Sequence, residues 1–368
     1  MVVLYHPSGK ALAMAAERWW AALRAAEDAG WRPSGTRPPP RRLGSGKTQG
    51  WAGGYAEPQG QEVVRDDARA LSEALARSAQ GGFEPLRRFA AEAGFIVCGD
   101  PVLAPEALLA NREAFIVLDA RPAEAFTAAR AAGAHRLPIE VWEKAAKTDE
   151  GRLTNLDHWA GVIGALGVDA TRPVVVLDDG RITEAARAWF ILQHFGVPSA
   201  VLDGGWPVLE PLLRAAGRIE AGPAAAPPAV PFAPRPGSGR VALIEREPLR
   251  AAFEAGAGPQ VFDTRTAAEH AGLDLRKNQR GGRLPAAANL PHADLLGADN
   301  RLLPAEVLRE KLAAAGLRLG ERVVTHCDGG GRASLAALAA LRAGYAEVGT
   351  YYLSFADWAA DESCPIER

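Results

Sequence analysis

The chain has 368 residues, 48% of them hydrophobic and 23% charged, with a formal net charge of -2 at pH 7. The length exceeds one comfortable core and points to two or three domains, and the near-neutral balance excludes the global basicity of a nucleic-acid or acidic-membrane binder. The cysteines are Cys98, Cys327 and Cys364, too few for a disulfide scaffold, in keeping with a reducing cytoplasm and with no zinc-type ligand cluster.

The first residues are interrupted by His6, Lys10, Glu17 and Arg18. They read as neither a signal peptide nor an anchor, and no stretch approaches the roughly 20 apolar residues of a membrane helix. Residues 1–97 read as a mostly helical extension. A helical pattern runs from about Leu12 to Ala29, and a Gly-, Pro- and Arg-rich loop follows. Two more helical patterns follow, DDARALSEALARSAQ with Asp66 or Asp67 as cap, and FEPLRRFAAEAG, which ends at Gly94. The GSGK at 44–47 lacks the preceding strand and the full phosphate-loop spacing, and is read as a polar turn.

Residues 98–220 alternate strands and helices. FIVLDAR (115–121) and RPVVVLDDG (172–180) read as buried strands. PAEAFTAARAAG, LDHWAGVIGALGV and TEAARAWFILQHFG read as helices, and AVLDGGWPVLEPLL as a strand and a turn. Continuous apolar strands between helices indicate a parallel sheet covered on both faces. Residues 221–239, rich in Pro and Ala, read as an extended linker. Residues 240–368 then repeat the second region: QVFDTR (260–265) matches FIVLDAR, and the segment around ERVVTHCDGGGRAS matches that around RPVVVLDDGRITEA. A whole α/β domain is duplicated.

In a parallel sheet, ligands bind beyond the carboxyl ends of the strands. The strand ERVVTH delivers Cys327 there, followed by Asp328, Gly329, Gly330, Gly331 and Arg332 and then a helix. Glycines let successive N–H groups line a concavity, and the helix N-terminus adds its dipole, so a thiolate is favoured. Arg332 adds a charge suited to an anionic substrate. A buried, inert cysteine is the bland alternative. A cysteine phosphatase is the sharper one, but its loop has five residues between cysteine and arginine, and this one has four. The matching loop of the first copy, Asp178-Asp179-Gly180-Arg181, has no thiol and reads as catalytically silent. Asp263 and Arg265, like Asp119 and Arg121, read as structural pins, with Glu269 pairing Arg265 across a helical turn. His326 should face away from Cys327, leaving His270 and His292 as candidates for the pocket. Cys98 reads as packed. Cys364 reads as an exposed tail residue, with a resolving thiol as the alternative.

Over about residues 100–368 these features resemble the tandem-domain rhodanese sulfurtransferases. The likeness rests on FIVLDAR, QVFDTR, RLPAAANLP, CDGGGRAS, Gly344-Tyr345 and YYLSFADW, with AARAWFILQHFG and VLDGGW in the first copy. Arg283 and Ala286 stand where the family usually has histidine and glycine. The resemblance implies an α/β fold of two rhodanese-like domains, each a parallel sheet flanked by helices, with an inactive domain at 98–220 and a catalytic one at 240–368. It implies a cytoplasmic or mitochondrial enzyme that needs no metal or organic cofactor. Cys327 would take sulfur from a small anionic donor and pass it to cyanide, a small thiol or a carrier protein. Arg332 favours thiosulfate as donor, Asp328 opposes it, and 3-mercaptopyruvate is the alternative. A non-enzymatic interaction module is the remaining one.

Overall fold

The computed structural model describes residues 101–110, 112–170 and 172–368, with two dipeptide strands, Leu4–Tyr5 and Ile96–Val97, that pair antiparallel. The helical patterns expected within 1–97, the GSGK turn and Cys98 lie outside the described residues.

The first sheet is built from β1 (Val102–Leu103), β2 (Ile116–Asp119), β3 (His135–Arg136), β4 (Val174–Leu177) and β5 (Ser199–Leu202). The second is built from β6 (Val241–Ile244), β7 (Gln260–Asp263), β8 (Ala287–Asn289), β9 (Val323–His326) and β10 (Val348–Tyr351). Their orders are β1-β5-β4-β2-β3 and β6-β10-β9-β7-β8, with every neighbour parallel. The duplication read in the sequence is therefore one of topology. Registers match as well: Asp119 lies opposite Leu177, and Asp263 opposite His326. Asp178 and Cys327, the residues that follow, are structural counterparts.

The central strands are wholly buried and apolar except for Asp119, Thr325 and His326, because helices cover both faces of each sheet. The helices that matter to the site are α1 (Ile139–Ala145), α2 (Thr183–His194), α3 (Gly205–Ala215), α4 (Gly331–Ala343) and α5 (Ser354–Ala360). Most of α2 and α4 is buried, including many alanines, as expected of helices inside a core rather than on its surface. They pack against each other, so one hydrophobic cluster runs through both domains. Phe190 of α2 stacks on Tyr352 with ring centroids 5.6 Å apart. Gln193 clamps β6, donating to Val241 O at 3.0 Å and accepting its N–H at 3.1 Å. Each of the two helices starts just after its own sheet-edge loop, so this packing sets the first turn of α2 beside the Cys327 loop.

The segment after β5 differs from expectation: Gly205–Ala215 is a helix, not a turn. The Gly-Gly-Trp-Pro run reads as punctuation, but Pro207 falls in the first turn, where proline is tolerated. Trp206, Leu209 and Leu213 form its buried stripe. Residues 221–240 form no regular element. Their path is strapped to the first domain through Val230 N to Gly164 O at 3.0 Å and the buried ring of Phe232.

Candidate active site

β9 ends at His326, and α4 begins at Gly331. Four residues, Cys327 to Gly330, turn the chain between them. Gly330 has φ +99°, and a Cβ there would meet the Tyr352 ring at 2.8 Å. Conformation and space both demand glycine. Cys327 is 1% exposed, but its sulfur faces backbone donors rather than apolar side chains. Sγ accepts the N–H groups of Gly330 at 3.1 Å and Gly329 at 3.4 Å, an arrangement that stabilises negative charge on sulfur. Of the N–H groups expected from Asp328 to Arg332, those two make the contact.

The loop is held from below by α5. Phe355 N donates to Cys327 O at 3.0 Å and Ala356 N to Asp328 O at 3.2 Å. Ser354 has φ +63°, a region that costs a non-glycine residue energy. Its Oγ accepts the Cys327 N–H at 3.1 Å, donates to Tyr351 O at 2.9 Å, and lies 3.7 Å from Sγ. Ser354 was not singled out from sequence. The signal is its alignment with Gly205, which opens α3 at φ +61°.

Asp263 and Arg265 form a buried fork, Nε to Oδ1 at 3.0 Å and Nη2 to Oδ2 at 2.7 Å, with the guanidinium 3.9 Å from the Phe355 ring centroid. Asp119, Arg121 and Trp206 repeat this in the first domain. His270 Nδ1 lies 2.9 Å from Asp263 Oδ2 and His326 Nε2 lies 3.6 Å from it. Burial acts against the Asp263 charge, but His326, His270 and Arg265 together hold its carboxyl well below the usual range. Burial pulls the His326 pKa down to about 4, so this ring is neutral near pH 7. It contacts the carbonyl of Cys327, not the sulfur. His270 thus belongs to the layer beneath the loop. His292 lies near Arg332, and burial followed by that charge lowers its pKa.

Two expectations are corrected. Glu269 does not pair with Arg265. Its helix starts at Ala267, after Arg265, so no helical turn links them. Glu269 instead closes a capping box with Thr266 and takes Arg332 in a fork at 2.7 and 2.9 Å. Burial opposes the Glu269 charge, but Arg332 and Thr266 hold its pKa at about 2. Arg332 is 16% exposed. Burial opposes its charge too, but Glu269 and the neighbouring Cys327 raise its pKa. The fork engages two of its five N–H donors. Cys364 is buried, not exposed, among Trp358, Phe355 and Tyr351, where burial raises its thiol pKa. Asp328 is turned aside by Asn278, which donates to its Oδ1 at 2.7 Å.

The first domain reaches the loop through Arg187, also missed from sequence. Its Nη1 donates to Gly329 O at 2.7 Å and Tyr352 Oη at 3.1 Å, and its Nε to Glu184 at 2.9 Å. Nη2 lies 3.3 Å from Glu143. Lys147, just beyond α1, also borders the loop: a methyl group built on Gly329 would sit 3.0 Å from its Nζ.

In the matching loop of the first domain, Asp178 is 2% exposed. Its carboxylate accepts the N–H groups of Gly180, Ile182, Glu184 and Ala185 at 2.9 to 3.2 Å. It fills the concavity that in the second domain receives sulfur.

Two parallel α/β domains, one with a cysteine cradled at a sheet edge, define a class that the known proteins make specific. The Rhodanese-like domain family matches residues 104–210 and 246–361, and the chain belongs to that family. A thiosulfate/3-mercaptopyruvate sulfurtransferase of Arabidopsis thaliana is 27% identical over 245 residues, 59% of this chain and 63% of that protein. The chain therefore spans less than two thirds of that relative. A 3-mercaptopyruvate sulfurtransferase from Leishmania major superposes with TM-score 0.56 at 18% identity, covering 70% of this chain and 74% of that one. An anaerobic ergothioneine biosynthesis enzyme from Chlorobium limicola superposes with TM-score 0.62 at 18% identity, covering 73% and 70%. At such identity these structures speak for the fold alone. Among the described residues no cluster of His, Cys, Asp or Glu could hold a metal ion, and no helix is long and apolar enough to cross a membrane.

Proposed function

We propose that the chain is a sulfurtransferase that carries sulfane sulfur as a persulfide on Cys327. The observation that carries this reading is a sulfur aimed at two backbone N–H groups, Gly329 and Gly330, at a sheet edge. The Cys327 thiolate attacks the outer sulfur of thiosulfate. The donor S–S bond breaks, sulfite leaves with the bonding pair, and Cys327 holds the transferred atom as a persulfide. The glycine N–H groups stabilise its charge. Cyanide then takes the terminal sulfur as thiocyanate and returns the thiolate. A small thiol or a carrier protein can replace cyanide. With 3-mercaptopyruvate the C–S bond breaks instead, and the thiol proton moves to carbon to give pyruvate.

Thiosulfate remains the first choice of donor, but its support changes. Arg332 shares its charge with Glu269, so it would meet the donor anion with its remaining N–H donors and as one half of an ion pair. A phosphoryl intermediate is disfavoured by the short loop, and a pure interaction module has no need of a sulfur-directed cradle. The sparse cysteines support a cytoplasmic location. Steady-state kinetics with thiosulfate and cyanide test the reading. Parallel lines in double-reciprocal plots and thiocyanate formation are expected, and no turnover with either donor would refute it.

A further inference from the structure

We infer that Lys147, carried by the silent domain, recognises the anionic end of the sulfur donor, an inference that rests on the sulfurtransferase reading above. The cations bordering the Cys327 loop are not equivalent. Arg332 is 16% exposed and is forked onto Glu269, itself 1% exposed. Arg187 is buried and shared among Gly329 O, Tyr352 Oη, Glu184 and Glu143. Redirecting either to a ligand would strand buried partners, which is costly. Lys147 differs on each count. Its side chain is 41% exposed, and its ion pair is with Glu143, Nζ to Oε1 at 2.7 Å. An ammonium carries three donors, so one such bond leaves capacity for a ligand.

Its placement is specific. Lys147 follows Ala146, the C-cap of α1, with its own N–H on Lys144 O. Glu143 sits between Lys147 and Arg187 and steers the ammonium across the domain boundary. There Nζ would stand 3.0 Å from any Cβ on Gly329, whose N–H faces Sγ. A donor whose outer sulfur enters the cradle would lay its oxygens toward that ammonium. Lys147 therefore acts on binding of any small anionic donor, sulfonate or carboxylate, and not on bond breaking. The site's negative groups sharpen the need. Asp328 lies in the loop, and the charges of Glu269, Glu143 and Glu184 already balance the arginines.

The test uses the full chain, with Lys147→Met and Lys147→Arg, and thiosulfate or 3-mercaptopyruvate, whichever loads the wild type. Lys147→Met should raise the donor KM about ten-fold, a change equal to one ordinary charged contact, with kcat within about two-fold. Lys147→Arg should restore most of the affinity. Added salt should weaken donor binding to the wild type more than to Lys147→Met. An unchanged KM in Lys147→Met, or a fall in kcat alone, overturns the assignment while leaving the sulfurtransferase reading intact. A wild type that takes sulfur from neither donor overturns both.

Discussion

In the first domain the chain leaves β4 at Asp178, and in the second it leaves β9 at Cys327, from sheets of the same order and register. The Asp–Arg fork and its aromatic cover are the same in both. The exits differ in three ways. The first loop is one residue longer, since α2 starts at Thr183 and α4 at Gly331. The N-cap is Ile182 in one and Gly330 in the other, both at positive φ. The second helical residue is Glu184 against Arg332. Glu184 turns to Arg187, and Arg332 to Glu269, whose place in the first domain is taken by Ala125. One backbone cradle thus serves two ends. Filled by its own carboxylate, it is a structural plug, and filled by a thiol it is open to chemistry. The plugged copy still contributes, because α2 and the end of α1 carry Arg187 and Lys147 to the other copy's loop.

The largest expected effect comes from removing the thiol itself. Cys327→Ser should lower donor turnover by about a thousand-fold or more, whereas Cys364→Ser should leave it within about two-fold, since that sulfur is packed in the core. Comparable losses from both would erase the distinction between a cradled and a packed cysteine. Next is the anchor that the first copy lacks. Glu269→Ala leaves the half-hidden Arg332 charge without its fork and should cost roughly 3 kcal/mol in urea unfolding. A loss below about 0.5 kcal/mol would show that the fork is solvent-screened decoration.

Asp178 offers a test of the plug. Asp178→Ala strands several buried N–H groups and should destabilise by about 2 kcal/mol. Burial pushes the Asp178 carboxyl up to about 6, against hydrogen bonds that pull it down. A raised folded pKa means its contribution is full at low pH and is lost as pH rises from about 4 through about 6. Asp178→Asn should remove that part of the slope, and an identical slope in urea midpoints between those pH values would contradict it. The smallest effect concerns Ala286, at φ +52°. Glycine there relieves left-handed strain but loses more entropy on folding, for a net gain of about 0.5 kcal/mol, read as a small rise in Tm.

Much of this arrangement was legible beforehand. Apolar strands of the VVVL type and the Cys-Asp-Gly-Gly-Gly-Arg run carry the sheet and the cradle within a few consecutive residues. Partners set by tertiary packing were not legible. Arg187 and Lys147 reach Gly329 of the Cys327 loop because the two domains meet there, and no local spacing records that. Glu269 misled for a related reason: four residues from Arg265 implies a shared helical face only if both lie in the helix, and Thr266 caps it between them. Cys364 looked like tail because it is close to the chain end, but Trp358 and Phe355 cover it. Gly205–Ala215 hid behind its Gly and Pro, although its apolar spacing was helical.

The central claim is that sulfur rides on Cys327. It is tested most directly by incubating the protein with thiosulfate, and separately with 3-mercaptopyruvate, followed by peptide mass spectrometry. A gain of about 32 Da on the Cys327 peptide, absent from the Cys364 peptide and discharged by cyanide, is the expected result. No gain with either donor, or a gain on Cys364 alone, would contradict it.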